Sequence, residues 1–176
     1  MSGEVIEGQV IDAERRLQEA RGKSKNYVFG ALGIGLVPVP LIDMAGITLL
    51  QLKMLHSLSK LYGVKFSSDI GKSMISSLVG GVLPTPAGLT LASLTKSVPV
   101  LGSVLGATSV SLIAGASTYA LSRVFIQHFE SGGTFLDFKP EKVRAFFAEE
   151  FEKGKLYAEN LKKKEANTNT KADKAA

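Results

Sequence analysis

Two long stretches without a charged residue restrict the possible folds of this chain more than any other feature. They run from Ser73 to Thr95 and from Ser97 to Ser122, with Lys96 between them. Each could cross the hydrocarbon core of a bilayer, about 30 Å thick, as a helix. The flanking segments are basic, which favours a transmembrane hairpin with both ends in the cytoplasm. The alternative is a pair of helices buried inside a soluble bundle.

Two Pro-x-Pro pairs interrupt the apolar sequence. Pro38 and Pro40 lie in GLVPVPLIDMAGITLL, and Pro84 and Pro86 lie in GGVLPTPAGLTLASLT. A helix cannot continue through such a pair, because two N–H donors are lost and the residue before each proline is pushed toward extended conformations. We therefore expect two similar units, each a helix, a tight break and a second helix. Chance similarity between two proline-rich turns is the alternative.

Local signals predict where the helices begin and end. Pro40 and Pro140 are each suited to a first helical position, and Gly63 to a C-terminal cap. Ser67 or Ser68 is suited to begin the helix between them. Apolar residues recur at helical spacing after each of these starts. Further helices are expected over about 87–96 and 99–129.

The predicted fold class is all-α: helical hairpins broken at the two Pro-x-Pro motifs, forming a membrane-associated bundle. The 18 glycines and the absence of Trp and Cys favour closely packed helices. The small, polar residues from Lys164 onward predict disorder. The expected divisions are an N-terminal amphipathic helix over 1–26, an apolar hairpin domain over 27–135, a C-terminal amphipathic helix over 136–163 and a disordered tail over 164–176.

Asp43 is a carboxylate within an apolar segment, and two explanations are open. It lies three residues after Pro40, where its charge would stabilise the first turn of a helix. A functional role would be pairing with Lys96 or lining a small polar path. Separately, Gly102 and Gly106 form a G-x-x-x-G, and Ser111 and Gly115 repeat this spacing of small residues. Such residues allow close helix contact in a homo-oligomer or within the chain. Of these two, we favour contact within the chain, against the helix that begins near Ser73.

No motif in the sequence indicates a catalytic or cofactor site. The absence of cysteine excludes thiolate chemistry. The segment Gly71-Lys72-Ser73 matches the last three residues of a phosphate-binding loop. Phe66, however, stands where that motif needs glycine. His56 and His128 have no carboxylate at metal-ligand spacing. We therefore expect no enzyme activity, no cofactor and no metal, and the mixing of bases with acids argues against nucleic acid.

Several strings resemble the YcjF-like bacterial family of unknown function. They are Pro38-Val-Pro40-Leu-Ile-Asp43, the helix carrying Gln51-Leu-Lys53-Met54, the ending Leu61-Tyr62-Gly63, and GGVLPTP. The resemblance covers roughly residues 27–135. It implies a helical, membrane-associated module that works with an Era-type GTPase in an envelope or stress setting. This chain has no GTPase domain of its own.

The expected function is that of a non-enzymatic anchor or scaffold at the bacterial inner membrane, with lipid and a GTPase as partners. A soluble bundle that inserts into lipid on demand is the second hypothesis. A small catalytic or transport role centred on Asp43 is the third.

Overall fold

The computed structural model describes residues 2–34, 40–82 and 101–173, and within these ranges every regular element is an α-helix. The predicted all-α class is therefore confirmed. The helices are α1 Ser2–Ile34, α2 Pro40–Leu61, α3 Ser68–Val82, α4 Leu101–Glu130 and α5 Pro140–Asp173.

The helix ends follow the local chemistry of the sequence. α2 and α5 begin at Pro40 and Pro140, because a first-turn residue needs no N–H donor and proline already has a helical φ. α3 begins at Ser68. After α2, Gly63 adopts a φ of 67°, and the following Val64 N–H donates to the Ser59 carbonyl at 2.8 Å. This left-handed glycine closes the helix as predicted.

Gly63→Ala is expected to lower the free energy of unfolding by about 1 kcal/mol, because an L-residue pays that cost in the left-handed region. A methyl group there would meet nothing within 4 Å, so the cost is conformational alone. Gly63→Asn should recover part of the loss, since asparagine tolerates this conformation. Urea unfolding of the three proteins measures the difference, and equal stability would contradict the assignment.

α4 is the central helix. α1 runs antiparallel to it, since Arg16 pairs with Glu130 near one end and Ser111 bonds the Leu32 carbonyl near the other. α2 runs parallel to α4, since Gln51 contacts Ser117 and Thr118 while Tyr62 bonds Glu130. These contacts fix how α1, α2 and α4 are aligned along their lengths.

α5 packs antiparallel on α4, and α3 packs against α2 and α5. The α4 and α5 backbones come close together at Gly154, where a methyl group would lie 2.8 Å from the Ala116 carbonyl oxygen. One hydrophobic core joins all five helices. Its largest fully buried side chains include Phe125, Phe147, Met54, Leu55, Leu58 and Leu78.

Three segments are in contact near the ends of α2 and α4, at what we call the charged end of the bundle. Tyr62, just after α2, donates to Glu130 Oε1 at 2.6 Å. Arg16 of α1 lies 3.6 Å from Glu130 Oε2, and its guanidinium is 5.3 Å from the centre of the Tyr62 ring. Burial, and then the contact with Glu130, raises the pKa of Tyr62 above its ordinary value. Tyr62 therefore stays a hydrogen-bond donor over the physiological pH range.

Two helices extend beyond the ends that were expected from the sequence. α5 continues to Asp173, whereas the tail from Lys164 was expected to be disordered. No glycine or proline occurs between 155 and 173, and each residue added to an existing helix gains a backbone hydrogen bond. α1 likewise passes without interruption through positions 26 and 27, where the N-terminal helix was expected to end.

The packing partners of the small residues of α4 also differ from the expectation. Ser111 and Gly115 were expected to face the helix that begins near Ser73. Instead, Ser111 bonds Leu32 of α1, and a methyl group at Gly115 would lie 2.8 Å from Leu32 Cδ2 and 3.2 Å from Ala158 Cβ. These small residues admit α1 and α5, because both helices cross α4 at this level.

Candidate functional site

One end of the bundle is built from uncharged helix segments. Leu50 lies beside Gly30, and Ile34 beside Gly46, so the end of α1 and the start of α2 are side by side. Leu32 also contacts the first half of α4. We call the three segments that meet here the apolar end; they are residues 26–34, 44–52 and 101–115, and they contain no charged residue.

Large hydrophobic side chains are exposed at the apolar end. Phe29, Leu49, Val110 and Ile113 expose between 39% and 58% of their surface. These side chains lie on three helices that are neighbours at the apolar end. Where such side chains form one surface patch, the patch is typical of a contact with lipid or with another protein.

Buried hydrogen bonds hold the helices of the apolar end together. Ser111 Oγ donates to the Leu32 carbonyl at 2.6 Å. Gln51, 2% exposed, donates from Nε2 to Ser117 Oγ at 3.1 Å and to Thr118 Oγ1 at 3.2 Å. Both hydroxyls in turn donate to the Ala114 carbonyl. These polar groups are therefore paired between helices, in an environment where water could not replace the bonds.

A cavity of about 200 Å³ lies where the apolar end stops. It is open to solvent on one side and is lined by α1, α4 and α5. Lys25 is the last charged residue of α1 before the apolar end, and Arg123 is the first charged residue of α4 beyond it. We call this the basic cavity; its lining residues are Arg21, Ser24, Lys25, Val28, Tyr119, Ser122, Arg123, Ile126 and Tyr157.

The charges around the basic cavity are only partly compensated. Arg123 Nε lies 3.3 Å from Glu150 Oε2. Glu150 is 3% exposed and also accepts from Lys153 Nζ at 2.7 Å. The carboxylates of Glu149 and Glu150 raise the pKa of Lys153. Arg21 and Lys25 form no hydrogen bond or ion pair with any residue that the structure describes.

Two tyrosines form the α4 and α5 sides of the basic cavity. The rings of Tyr119 and Tyr157 have centroids 5.0 Å apart. Burial, and then the neighbouring Tyr119, raises the pKa of Tyr157 above its ordinary value. Tyr157 is therefore a neutral phenol, able to donate a hydrogen bond, near neutral pH.

The residues proposed from the sequence lie elsewhere. Asp43 stands in the first turn of α2, as a capping role requires, and Gly102 and Gly106 lie in the first turns of α4. Their roles stay predictions. Pro38, Pro84 and Pro86, Lys96 and the helix expected over 87–96 lie outside the described residues.

The histidines occupy helix-surface and helix-end positions. His56 stacks on Phe66 with ring centroids 4.8 Å apart, and His128 Nε2 lies 2.8 Å from the Thr134 carbonyl oxygen. Over residues 2–34, 40–82 and 101–173 no group of three or more potential ligands could hold a metal ion. Within the same ranges, no helix has both the length and the apolar character needed to cross a membrane.

The basic cavity was not predicted from the sequence. The basic residues were interpreted as flanks of the uncharged runs, and no role was predicted for Tyr119 or Tyr157. The available signal was that Lys25 and Arg123 are the first charges bordering two uncharged stretches. That these borders meet depends on the antiparallel register of α1 and α4.

Comparison with known proteins places the chain in a family. The chain is 44% identical over 161 residues to "Magnetosome membrane protein 22" of Magnetospirillum gryphiswaldense, covering 90% of this chain and 83% of that protein. No solved structure matches the chain. Residues 7–155 match the family described as "Domain of unknown function (DUF697)", which agrees with the expectation of a family of unknown function. Since this match spans most of the folded chain, the protein belongs to the DUF697 family.

Proposed function

We propose that this protein is a non-enzymatic membrane-associated protein whose apolar end inserts into lipid. The observation that carries the proposal is the exposure of Phe29, Leu49, Val110 and Ile113 on helix segments that contain no charge. Transfer of such side chains from water into hydrocarbon is favourable, and no charged group of these segments has to be desolvated with them.

The name of a relative also supports a membrane role. The relative in Magnetospirillum gryphiswaldense is named a magnetosome membrane protein, and its similarity covers 90% of this chain. The apolar end would enter the lipid from the cytoplasmic side, because basic segments flank the uncharged runs of the sequence.

Vesicle binding tests this proposal. The double variant Phe29→Ser/Leu49→Ser should bind vesicles of phosphatidylglycerol and phosphatidylcholine roughly 30-fold more weakly than the unsubstituted chain. About 2 kcal/mol of apolar transfer is lost when two half-exposed side chains are removed, and each 1.4 kcal/mol is a factor of ten. Co-sedimentation at several lipid concentrations measures the change.

The matched control is Ile11→Ser/Leu136→Ser. Ile11 is 58% and Leu136 87% exposed, and both lie away from the apolar end. The control should bind as the unsubstituted chain does, and circular dichroism should show that both double variants are folded. Equal loss of binding in the two double variants would exclude the apolar end as the lipid-binding surface.

Alkaline carbonate extraction separates firm insertion from binding on demand. We expect the protein to remain with extracted membranes, because the proposed contact is apolar and insensitive to pH. Recovery in the soluble fraction would instead favour the second hypothesis, in which the bundle binds lipid reversibly.

We further propose that the lipid-bound chain anchors a GTPase of the Era type. The resemblance of residues 27–135 to the YcjF-like family supports this partner, and the charged end of the bundle is left free by insertion of the other end. Co-sedimentation of a purified Era-type GTPase with vesicles that carry this protein tests it. Equal sedimentation of the GTPase without the protein would contradict the proposal.

A further inference from the structure

The basic cavity has the composition of an anion site. Arg21 and Lys25 lie four residues apart on α1 and both line it, and Arg123 faces them from α4. Like charges at this spacing on one helix repel each other. Among the residues that the structure describes, the carboxylate in contact with these cations is that of Glu150, which is shared between Arg123 and Lys153. The cavity therefore keeps a net positive charge.

The hydrogen-bond donors left free also favour an anion. The hydroxyl protons of Ser24 and Ser122 are used within their own helices, by the carbonyls of Ala20 and Tyr119. Free donors are the side chains of Arg21 and Lys25, the remaining N–H groups of Arg123 and the tyrosine hydroxyls. This set exceeds what the two oxygens of a carboxylate could accept, and it suits the three or four oxygens of a phosphate group.

We propose that the basic cavity binds a phosphate group between Arg21, Lys25 and Arg123, with the Tyr157 hydroxyl as a further donor. The volume of about 200 Å³ is several times that of a water molecule, about 30 Å³, and accommodates a tetrahedral anion. Binding relieves the repulsion between the three cations. The same chemistry is found in a phospholipid headgroup and in free phosphate.

The position of the cavity indicates how a lipid could reach it. The cavity borders the apolar end, where Lys25 and Arg123 are the first charges. When the apolar end lies in hydrocarbon, this level coincides with the lipid phosphates. The lipid as source of the phosphate rests on the proposed function, whereas binding of free phosphate does not.

Titration with inorganic phosphate tests the site without a membrane. Calorimetry or NMR on the full-length chain should show saturable binding, weakened about tenfold or more in Arg21→Gln/Lys25→Gln. Tyr157→Phe, which removes one hydroxyl, should weaken it severalfold. The control Lys65→Gln/Lys139→Gln removes the same charge from exposed loop positions outside the cavity, and it should bind phosphate like the unsubstituted chain.

Vesicles distinguish the two sources. Stronger binding to phosphatidylglycerol with phosphatidylcholine than to phosphatidylcholine alone, lost in Arg21→Gln/Lys25→Gln but kept in Lys65→Gln/Lys139→Gln, assigns the site to lipid. Phosphate binding without this vesicle effect assigns it to a free phosphate. Equal effects of the two double variants on both ligands would overturn the proposal. Failure of Phe29→Ser/Leu49→Ser to alter vesicle binding would overturn the proposed function alone, since phosphate titration does not involve lipid.

Discussion

Phe125→Ala is expected to lower the free energy of unfolding by about 3–5 kcal/mol, the cost of truncating a buried phenylalanine. Phe125 is fully buried. Its ring stacks on Phe138 with centroids 4.6 Å apart, and it also contacts Phe129 and Phe135. The substitution leaves a cavity at the point where α4 meets the 131–139 connection to α5, and these rigid rings cannot collapse into it.

Urea unfolding measures this loss as a lower midpoint with an unchanged slope. Leu136→Ala is the control, since Leu136 lies beside Phe135 in sequence but is 87% exposed; it should change stability by less than about 0.5 kcal/mol. A cost below 1 kcal/mol for Phe125→Ala would show that the aromatic cluster does not organise the core.

Gly154→Leu is expected to cost about 3 kcal/mol, because it forces the two most extensively packed helices apart. A methyl group at this position would lie 2.8 Å from the Ala116 carbonyl oxygen and 3.0 Å from its Cα. Both are backbone atoms, so no side-chain rotation can relieve the overlap. Separation of α4 from α5 would also weaken the contact between Arg123 and the buried Glu150.

Gly22→Leu provides the matched control on an exposed helix position. A methyl group at Gly22 would meet nothing within 4 Å. Leucine is the better helix former, so this variant should gain up to about 0.8 kcal/mol. Thermal and urea unfolding of both variants measure these changes in stability. If Gly154→Leu also gained stability, α4 and α5 could not be in close backbone contact at Ala116.

Helix ends were predictable because local chemistry determines them. Proline at a first helical position, glycine in the left-handed region and serine before a first turn act within a few residues. Pro40, Pro140, Gly63 and Ser68 accordingly mark the observed ends. The observed end of α5 was harder to predict. A polar composition predicts disorder, but residues 155–173 contain no glycine or proline that would stop a helix once the earlier turns have formed.

Helix partners were not predictable in the same way. Ser111 and Gly115 mark a place where a backbone can come close, but small residues do not specify which helix approaches. Leu32 and Ala158 occupy that space. The choice is made by shape fit between segments far apart in sequence, which no local pattern records.

The sequence by itself determined that this chain is helical, where most of its helices begin and end, and that charge is excluded from long continuous stretches. These properties follow from propensity, capping and composition, which act locally. Only the tertiary structure decided that three uncharged segments meet at one end, and that Arg21, Lys25, Arg123 and Tyr157 enclose one cavity at its border. That meeting depends on the antiparallel register of α1 and α5 on α4, because register converts separate positions along the chain into neighbours in space.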